Sequence, residues 1–120
     1  MKPRVLVVDD DRLITRTLCD ILRFRGWEAV PAYSGEEAIA THKEDRYTYV
    51  LMDMKMAGID GLAAYRTMKT AAPNLRVILM TAFASVEAME KALSEGVWRV
   101  INKPIDLPAL FAMLDEEQAS

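Results

Sequence analysis

Acidic, hydroxyl and amino side chains follow four apolar segments of this 120-residue chain. Three consecutive aspartates, Asp9 to Asp11, come after the first segment, and Asp53 ends a later one. Thr81 and Lys103 follow two further segments. Clustered carboxylates repel one another, and a hard divalent cation such as Mg²⁺ is the usual relief. A metal ion on one side, a lysine on the other and a hydroxyl between them would hold a phosphoryl group, with Asp53 as the nucleophile that receives it.

Each of these residues also has a simpler explanation when it is considered alone. The aspartates at 9–11 are good helix caps, and Asp53 is compatible with an ordinary loop carboxylate. Thr81 suits the end of a strand, and Lys103 with Pro104 suits a turn. Four such coincidences at the ends of four apolar segments are far less expected than one site, so the combination favours a site.

Five apolar runs have the length and composition of strands buried on both faces. They cover residues 4–8, 27–32, 49–52, 76–80 and 98–102. Helical patterns separate them. In the first, leucine and isoleucine recur at helical spacing up to a stop at Gly26. The second begins at Ser34, which has capping-box spacing with Glu37, and extends to about residue 44. Further helices are predicted over 61–72 and 86–94, and Asp106 caps a last one.

Regular alternation of strand and helix predicts an α/β fold, a three-layer doubly wound five-stranded parallel sheet. In such sheets the functional surface lies at the carboxyl ends of the strands, where the strand order reverses. The polar residues described above all lie at predicted carboxyl ends. We therefore expect them to converge.

Composition and charge exclude several classes of protein. The chain is 52% hydrophobic and 28% charged with a formal net charge of −3, and its basic residues are not clustered, so nucleic-acid binding is not expected. No apolar run reaches the roughly 20 residues of a membrane span. Cys19 is the one cysteine, which fits a reducing cytoplasm. We predict a single domain over residues 1–120 with a core over about 4–117.

Taken in order, the motifs VVDDD, DMKMAGIDG, MTA and NKP closely resemble the receiver domain of bacterial two-component response regulators, the CheY-like family. The resemblance covers nearly the whole chain and implies a flavodoxin-like (βα)5 fold with strand order 2-1-3-4-5. It implies a phosphoaccepting switch, which catalyses only its own phosphorylation and dephosphorylation and has no other enzymatic turnover. The implied partner is a sensor histidine kinase or a phosphotransfer protein.

The resemblance also assigns a metal site. Asp53 is implied as phosphoacceptor and as a ligand of Mg²⁺, with Mn²⁺ as an alternative ion. Asp10 matches the direct ligand, Asp9 acts largely through water, and the backbone carbonyl of Lys55 completes the set. The side chain of Lys55, together with Phe83, flanks the path of hydrolytic water, and the bulky Phe83 is expected to slow dephosphorylation.

The remaining roles concern the phosphoryl group and the response to it. Lys103 matches the phosphate-binding lysine and Thr81 the switch hydroxyl. The amide of Ala82 is expected to face the phosphoryl group, and the bond before Pro104 is expected to be cis. Phosphorylation would change the face formed by the fourth helix, fifth strand and fifth helix, for a downstream partner, an output domain or a phosphorylation-dependent homodimer.

Two positions depart from the family pattern. Ala57 stands where this loop usually has proline, and Val100 stands where the fifth strand usually has an aromatic ring that moves with the threonine. Trp98 is expected on the same side of that strand, without replacing the ring. Gly58 and Gly61 are expected to supply the unusual backbone angles of the loop and the entry into the following helix.

Three alternatives to the phosphoaccepting switch differ in class. An aspartyl-phosphate phosphatase or phosphotransferase needs a second acid two residues after its nucleophile, where this chain has Lys55. A flavin or nucleotide binder needs a phosphate loop after the first strand, where this chain has three aspartates. A receiver-like docking module that is not controlled by phosphorylation stays open. His42, expected on a surface helix, is a poor candidate for a phosphohistidine.

Overall fold

The structure, a computed structural model, describes residues 3–82 and 85–119. Strands and helices alternate along this part of the chain. The elements are β1 (Arg4–Val8), α1 (Arg12–Phe24), β2 (Glu28–Ala32), α2 (Gly35–Glu44), β3 (Tyr49–Asp53), α3 (Gly61–Ala71), β4 (Arg76–Thr81), α4 (Val86–Ser94), β5 (Arg99–Asn102) and α5 (Leu107–Ala119). Each predicted strand is present, with ends that differ from the prediction by at most one residue.

The five strands form one parallel sheet in the order β2-β1-β3-β4-β5. The order reverses beside β1, which pairs with β2 on one side and with β3 on the other. This is the predicted doubly wound, flavodoxin-like architecture, and it places the ends of β1 and β3 next to each other at the point of reversal.

Apolar side chains alternate along the central strands and fill a core on each face of the sheet. Leu6, Val50 and Leu79 point towards α2, α3 and α4, whereas Val7 and Leu51 point towards α1 and α5. Both faces are covered by helices, which explains why these strands are almost continuously apolar in sequence. Cys19 belongs to the second core, where burial raises the pKa of its thiol to about 11.

Side-chain caps begin the helices where the sequence indicated. Ser34 accepts from the backbone N–H of Glu37 at 3.0 Å, and Asp106 accepts from Ala109 at 3.0 Å, so both predicted caps are confirmed. Among the three aspartates after β1, Asp11 is the residue that caps α1. Asp9 and Asp10 are therefore left for another role.

Trp98 and Val100 lie on opposite faces of the sheet, so the expectation that they share one was wrong. Trp98 packs in the α1/α5 core with its ring centroid 5.6 Å from that of Tyr49, whereas Val100 packs towards α3 and α4. The strand begins only at Arg99, so the two-residue alternation of a strand does not extend back to Trp98.

His42 lies on the surface helix α2, as expected, but its side chain is on the buried face of that helix. It is 4% exposed, and its Nδ1 accepts from the backbone N–H of Tyr47 at 3.4 Å. Burial and the nearby charge of Arg46 lower the pKa of the imidazole. This histidine contributes to the packing of α2 against the segment that leads into β3.

Candidate functional site

The predicted polar residues converge at the carboxyl end of the sheet. Asp53 is the last residue of β3 and Thr81 the last of β4, while Asp9 and Lys103 directly follow β1 and β5. Parallel pairing in register brings these strand ends together at one edge. One site therefore contains residues at the carboxyl ends of four strands.

Three carboxylates form an acidic cluster at this edge. One oxygen each from Asp9, Asp10 and Asp53 lies within 4.8 Å of the other two. Asp9 is 1% exposed and Asp53 is 7% exposed, whereas Asp10 is open to solvent. At such separations two carboxylates repel by about 4 kcal/mol at an effective dielectric constant near 20. This close set of hard oxygen donors fits Mg²⁺, which binds through a few carboxylates and retains several waters.

Lys103 supplies the positive charge of the site. Its Nζ lies 2.9 Å from Oδ2 of Asp9 and 3.4 Å from Oδ1 of Asp53. Burial lowers the pKa of Lys103, but the hydrogen bond to Asp9 and the charges of both aspartates outweigh it, and the pKa is raised. Burial and the charge of Asp9 raise the pKa of Asp53, against the opposing effect of Lys103.

Asp9 is fixed by contacts that sequence reasoning missed. Its Oδ1 accepts from the backbone N–H of Asp11 at 3.0 Å. The hydroxyl of Thr15, a fully buried residue of α1, donates to the backbone carbonyl of Asp9 at 2.9 Å. A polar residue at a core position of an amphipathic helix was the available signal for Thr15.

Backbone hydrogen bonds fix both ends of the loop after β3. The N–H of Met54 donates to Met80 and that of Gly61 donates to Met54, both at 2.8 Å. Gly58 has a φ of +81°, as expected for the loop. Gly61 is the first residue of α3, and it has no positive φ. Glycine is needed there because a Cβ would overlap the carbonyl oxygen of Asp53.

Two further residues of the loop face the aspartates. The backbone N–H of Ala57 donates to Oδ2 of Asp10 at 3.1 Å. A backbone hydrogen bond from Lys55 acts on the carboxylate of Asp53 and opposes the rise of its pKa. The side chain of Lys55 is exposed.

Thr81 and Lys103 are joined through the main chain as well. The backbone N–H of Lys103 donates to the carbonyl of Thr81 at 2.8 Å, and the Lys103–Pro104 bond is cis. Thr81 is buried and Ala82 beside it is exposed. Phe83 lies outside the described residues.

An apolar groove of about 780 Å³ adjoins the site between α1 and the β5–α5 loop. Leu13, Ile14 and Ile105 are among its lining residues, and Lys103 and Ala82 also line it. Leu13 in the first turn of α1 is 77% exposed, so the apolar lining of the groove is open to solvent at this end. The groove therefore offers an apolar surface directly beside the candidate site.

No helix within residues 3–82 and 85–119 is long and apolar enough to cross a membrane.

Comparison with known proteins gives consistent matches. The family model of the response regulator receiver domain matches residues 5–115. The transcriptional regulatory protein ZraR of Salmonella typhimurium is 37% identical over 115 residues, which are 96% of this chain and 26% of that protein. The chain thus spans about a quarter of the length of ZraR from Salmonella typhimurium and from Escherichia coli.

Two other matches are similar to this chain in length. Sporulation initiation phosphotransferase F of Bacillus subtilis is 31% identical over 107 residues, covering 89% of this chain and 86% of that protein. A CheY-like receiver domain from Methanospirillum hungatei, solved by crystallography, superposes with a TM-score of 0.92 at 27% identity, covering 98% of this chain and 94% of that one.

Proposed function

This chain belongs to the response regulator receiver domain family, and we propose that it is a phosphoaccepting switch in which Asp53 takes a phosphoryl group from a phosphohistidine. The donor is a sensor histidine kinase or a phosphotransfer protein. We propose one receiver domain over the chain, with its core over residues 4–117, that acts in the cytoplasm and catalyses only its own phosphorylation and dephosphorylation.

The observation that carries this proposal is the position of the Asp53 carboxylate. An oxygen of Asp53 lies within 4.8 Å of carboxylate oxygens of Asp9 and Asp10, and Oδ1 of Asp53 is 3.4 Å from Nζ of Lys103, at the carboxyl end of the sheet. In the transfer, an oxygen of Asp53 forms a bond to phosphorus as the bond from phosphorus to the histidine nitrogen breaks, and the electron pair returns to the imidazole. Lys103 would lie against the incoming phosphoryl oxygens.

The same residues account for a cofactor. Asp10 and Asp53 would bind Mg²⁺ directly, Asp9 largely through water, and the carbonyl of Lys55 would be a further ligand; Mn²⁺ has the same preference for oxygen ligands. The ion, when bound, neutralises negative charge on the carboxylates and the phosphoryl group.

Other residues would respond to the phosphoryl group. Its added charge of about −1.5 to −2 would attract the hydroxyl of Thr81 and the amide of Ala82. The side chains of Lys55 and Phe83 would set the rate at which water removes it. With valine at 100, we propose that movement of Thr81 reaches α4 without an aromatic ring in β5.

Helix α4 is suited to such a response because it is weakly packed. Ala92 is its one fully buried residue, and Val86 and Leu93 are 70% and 46% exposed. A helix with few buried contacts shifts at low cost in free energy. We propose that the face formed by α4, β5 and α5 binds a downstream partner, an output domain or a second phosphorylated copy, with no direct binding of nucleic acid.

The groove between α1 and the β5–α5 loop supports an encounter with the phosphoryl donor. Its exposed apolar residues lie beside Lys103, so a partner docked there would present a histidine to Asp53. An exposed apolar patch rimmed by polar residues is typical of a protein-binding site.

Intact mass after incubation with acetyl phosphate and Mg²⁺ tests the phosphoacceptor. We expect an increase of about 80 Da, the mass of one phosphoryl group, that disappears in Asp53→Asn and in EDTA. Asp20→Asn, which changes an exposed aspartate of α1, is the matched control and should be labelled like the wild type. An unlabelled wild type, under conditions that label another receiver domain, would leave the docking module as the better interpretation.

A further inference from the structure

We propose that Tyr65 and Arg66 of α3 hold the C-terminal end of α4 at Glu95, so that α4 responds to phosphorylation by tilting about this end. The inference rests on the proposed function, because it concerns how a phosphoryl group on Asp53 changes the face formed by α4, β5 and α5. It is carried by three hydrogen bonds from α3 to Glu95, which together form the α3–α4 clamp.

Tyr65 binds the main chain at this end of α4. Its hydroxyl donates to the backbone carbonyl of Glu95 at 2.8 Å. The last carbonyls of a helix have no partner within the helix, so this hydrogen bond satisfies one of them. Tyr65 is 1% exposed and belongs to the core that α2, α3 and α4 form with one face of the sheet. The packing of its ring therefore fixes the position of the donor.

Arg66 binds the side chain of the same residue. Its Nε donates to Oε1 of Glu95 at 2.6 Å, and its Nη2 donates to Oε2 at 2.9 Å. A guanidinium that binds a carboxylate through two hydrogen bonds fixes its orientation as well as its distance. The hydrogen bond from Arg66 also lowers the pKa of Glu95, so the carboxylate is ionised at neutral pH. Adjacent residues of α3 thus hold both the main chain and the side chain of Glu95.

The last turn of α4 is also closed by its own backbone. Gly96 has a positive φ, and its N–H donates to the carbonyl of Leu93 at 3.1 Å. The N–H of Val97 donates to the carbonyl of Ala92 at 3.2 Å, which completes a Schellman motif. Val97 and Ala92 are both buried in the core that contains Tyr65. The turn held by the α3–α4 clamp therefore has a fixed shape.

The first turn of α4 is attached differently. Within residues 3–82 and 85–119, no hydrogen bond or ion pair joins residues 85–88 to another helix or strand. Val86 is 70% exposed, and the cap at Ser85 accepts from the N–H of Ala88, which belongs to the same helix. Because the last turn would lose its hydrogen bonds if it moved, a displacement of the first turn tilts α4 rather than shifting it as a whole.

The loosely attached end is also the end closest in sequence to the switch hydroxyl. Residues 82–85 join Thr81, the last residue of β4, to Val86, the first residue of α4. A movement of Thr81 towards the phosphoryl group therefore acts on the first turn of α4. This response needs no aromatic ring at Val100 in β5, since the displacement passes along the chain.

Amide hydrogen exchange of the metal-free, unphosphorylated chain tests the α3–α4 clamp. We expect Glu95→Gln to accelerate exchange at the amides of Gly96 and Val97 by about two- to fivefold, because it removes the charge that Arg66 binds. Tyr65→Phe, which leaves the ring in the core, should accelerate the same amides. The matched control is a second glutamate of α4 that is exposed, and its variant Glu90→Gln should leave both amides unchanged.

Distances between spin labels test the tilt. In a Cys19→Ala background, Thr70→Cys on the exposed side of α3 is the reference, paired with Glu87→Cys near the first turn of α4 or with Ser94→Cys in the last turn. When acetyl phosphate and Mg²⁺ phosphorylate the chain, we expect the distance to position 87 to change by about 2 Å or more. The distance to position 94 should change by less than about 1 Å, unless Glu95→Gln is also present.

Equal changes of the two distances in the phosphorylated chain would overturn the tilt. Unchanged exchange at Gly96 and Val97 in both clamp variants would overturn the clamp, and so would an equal acceleration at the amide of Leu51 in the central strand β3. A chain whose mass does not increase with acetyl phosphate contradicts the proposed function, and with it the response of α4. The exchange experiment needs no phosphorylation, so it decides the α3–α4 clamp separately.

Discussion

The amino group of Lys103 lies 2.9 Å from Oδ2 of Asp9, although the two residues are 94 positions apart in sequence. Asp9 is 1% exposed, so its carboxylate has little access to water that would stabilise its charge. A buried charge needs a partner, and the lysine after β5 is that partner for the aspartate after β1. The pair therefore links the segment after β1 to the segment after β5, at the carboxyl edge of the sheet.

Removal of the lysine charge should therefore destabilise the metal-free protein. We expect Lys103→Met to lower the free energy of unfolding by about 2–4 kcal/mol, because Asp9 is left buried without a counter-charge. The measurement is urea unfolding in EDTA at neutral pH. Lys91→Met, at an exposed lysine of α4, should cost no more than about 0.5 kcal/mol. Equal losses in the two variants would show that the Lys103–Asp9 pair is not stabilising.

Removal of the Asp53 charge should have the opposite effect and stabilise the metal-free protein. The reason is that burial and the charge of Asp9 raise the folded-state pKa of Asp53. A carboxyl with a raised pKa stabilises the fold when protonated, and this contribution is lost as pH rises above the unfolded pKa of about 4. We expect Asp53→Asn to be more stable than the wild type at pH 7 in EDTA. The difference should shrink towards pH 4, where Asp53 takes up a proton.

Saturating Mg²⁺ should also reduce that difference at pH 7, because an ion that binds the folded state stabilises the wild type by mass action. Thermal unfolding with and without Mg²⁺ provides the measurement. If Asp53→Asn is less stable than the wild type at pH 7 in EDTA, then the ionised Asp53 carboxylate does not destabilise the metal-free fold, and the prediction is wrong.

The buried His42 should make the free energy of unfolding sensitive to acid. Burial lowers its folded-state pKa below the ordinary value of 6.5. The neutral imidazole stabilises the fold above about pH 6.5, and this contribution decreases as pH falls further, because protonation removes the acceptor at Nδ1. The difference in unfolding free energy between wild type and His42→Gln, measured from pH 7.5 to 5, should change in this direction. A difference independent of pH would refute the prediction.

Gly96 offers a stability test at the end of α4. It has a φ of +103°, and a Cβ there would lie 2.6 Å from the hydroxyl of Tyr65. Gly26 has a similar φ of +92° but open space around it. We expect Gly26→Ala to cost about 1 kcal/mol from backbone strain alone, and Gly96→Ala about 1 kcal/mol more.

The excess cost at Gly96 should depend on the tyrosine hydroxyl. Tyr65→Phe itself loses the 2.8 Å hydrogen bond from the tyrosine hydroxyl to the carbonyl of Glu95. In this background, the further loss of unfolding free energy caused by Gly96→Ala should approach that of Gly26→Ala. Chemical unfolding of the four variants measures the coupling. Additive effects of the two substitutions would rule out steric overlap as the cause.

Much of the fold was predictable because parallel strands covered on both faces are continuous apolar runs. The runs at 4–8 and 76–80 correspond to β1 and β4 with at most one residue of difference. Helix caps such as Ser34 and Asp106 were predictable for a local reason, since a cap bonds to an amide three residues away. The convergence of polar residues followed from topology, because parallel strands end at the same edge of the sheet.

Other features depend on packing between segments that are distant in sequence. The burial of His42 follows from how α2 lies against the segment before β3, and the face occupied by Trp98 follows from where β5 begins. Thr15 acts on Asp9 only because α1 folds back over the end of β1. The local pattern marks Thr15 as a polar residue at a core position, but it does not show which group Thr15 contacts.

The sequence by itself determined the alternation of elements, the parallel sheet and the residue types at its carboxyl edge, because apolar periodicity and caps are local properties. Only the tertiary structure decided which partner each polar group has: Lys103 beside Asp9, and the N–H of Ala57 on Asp10. The physical reason is that a hydrogen bond or an ion pair requires atoms within about 3 Å, and such distances are set by the packing of the whole fold.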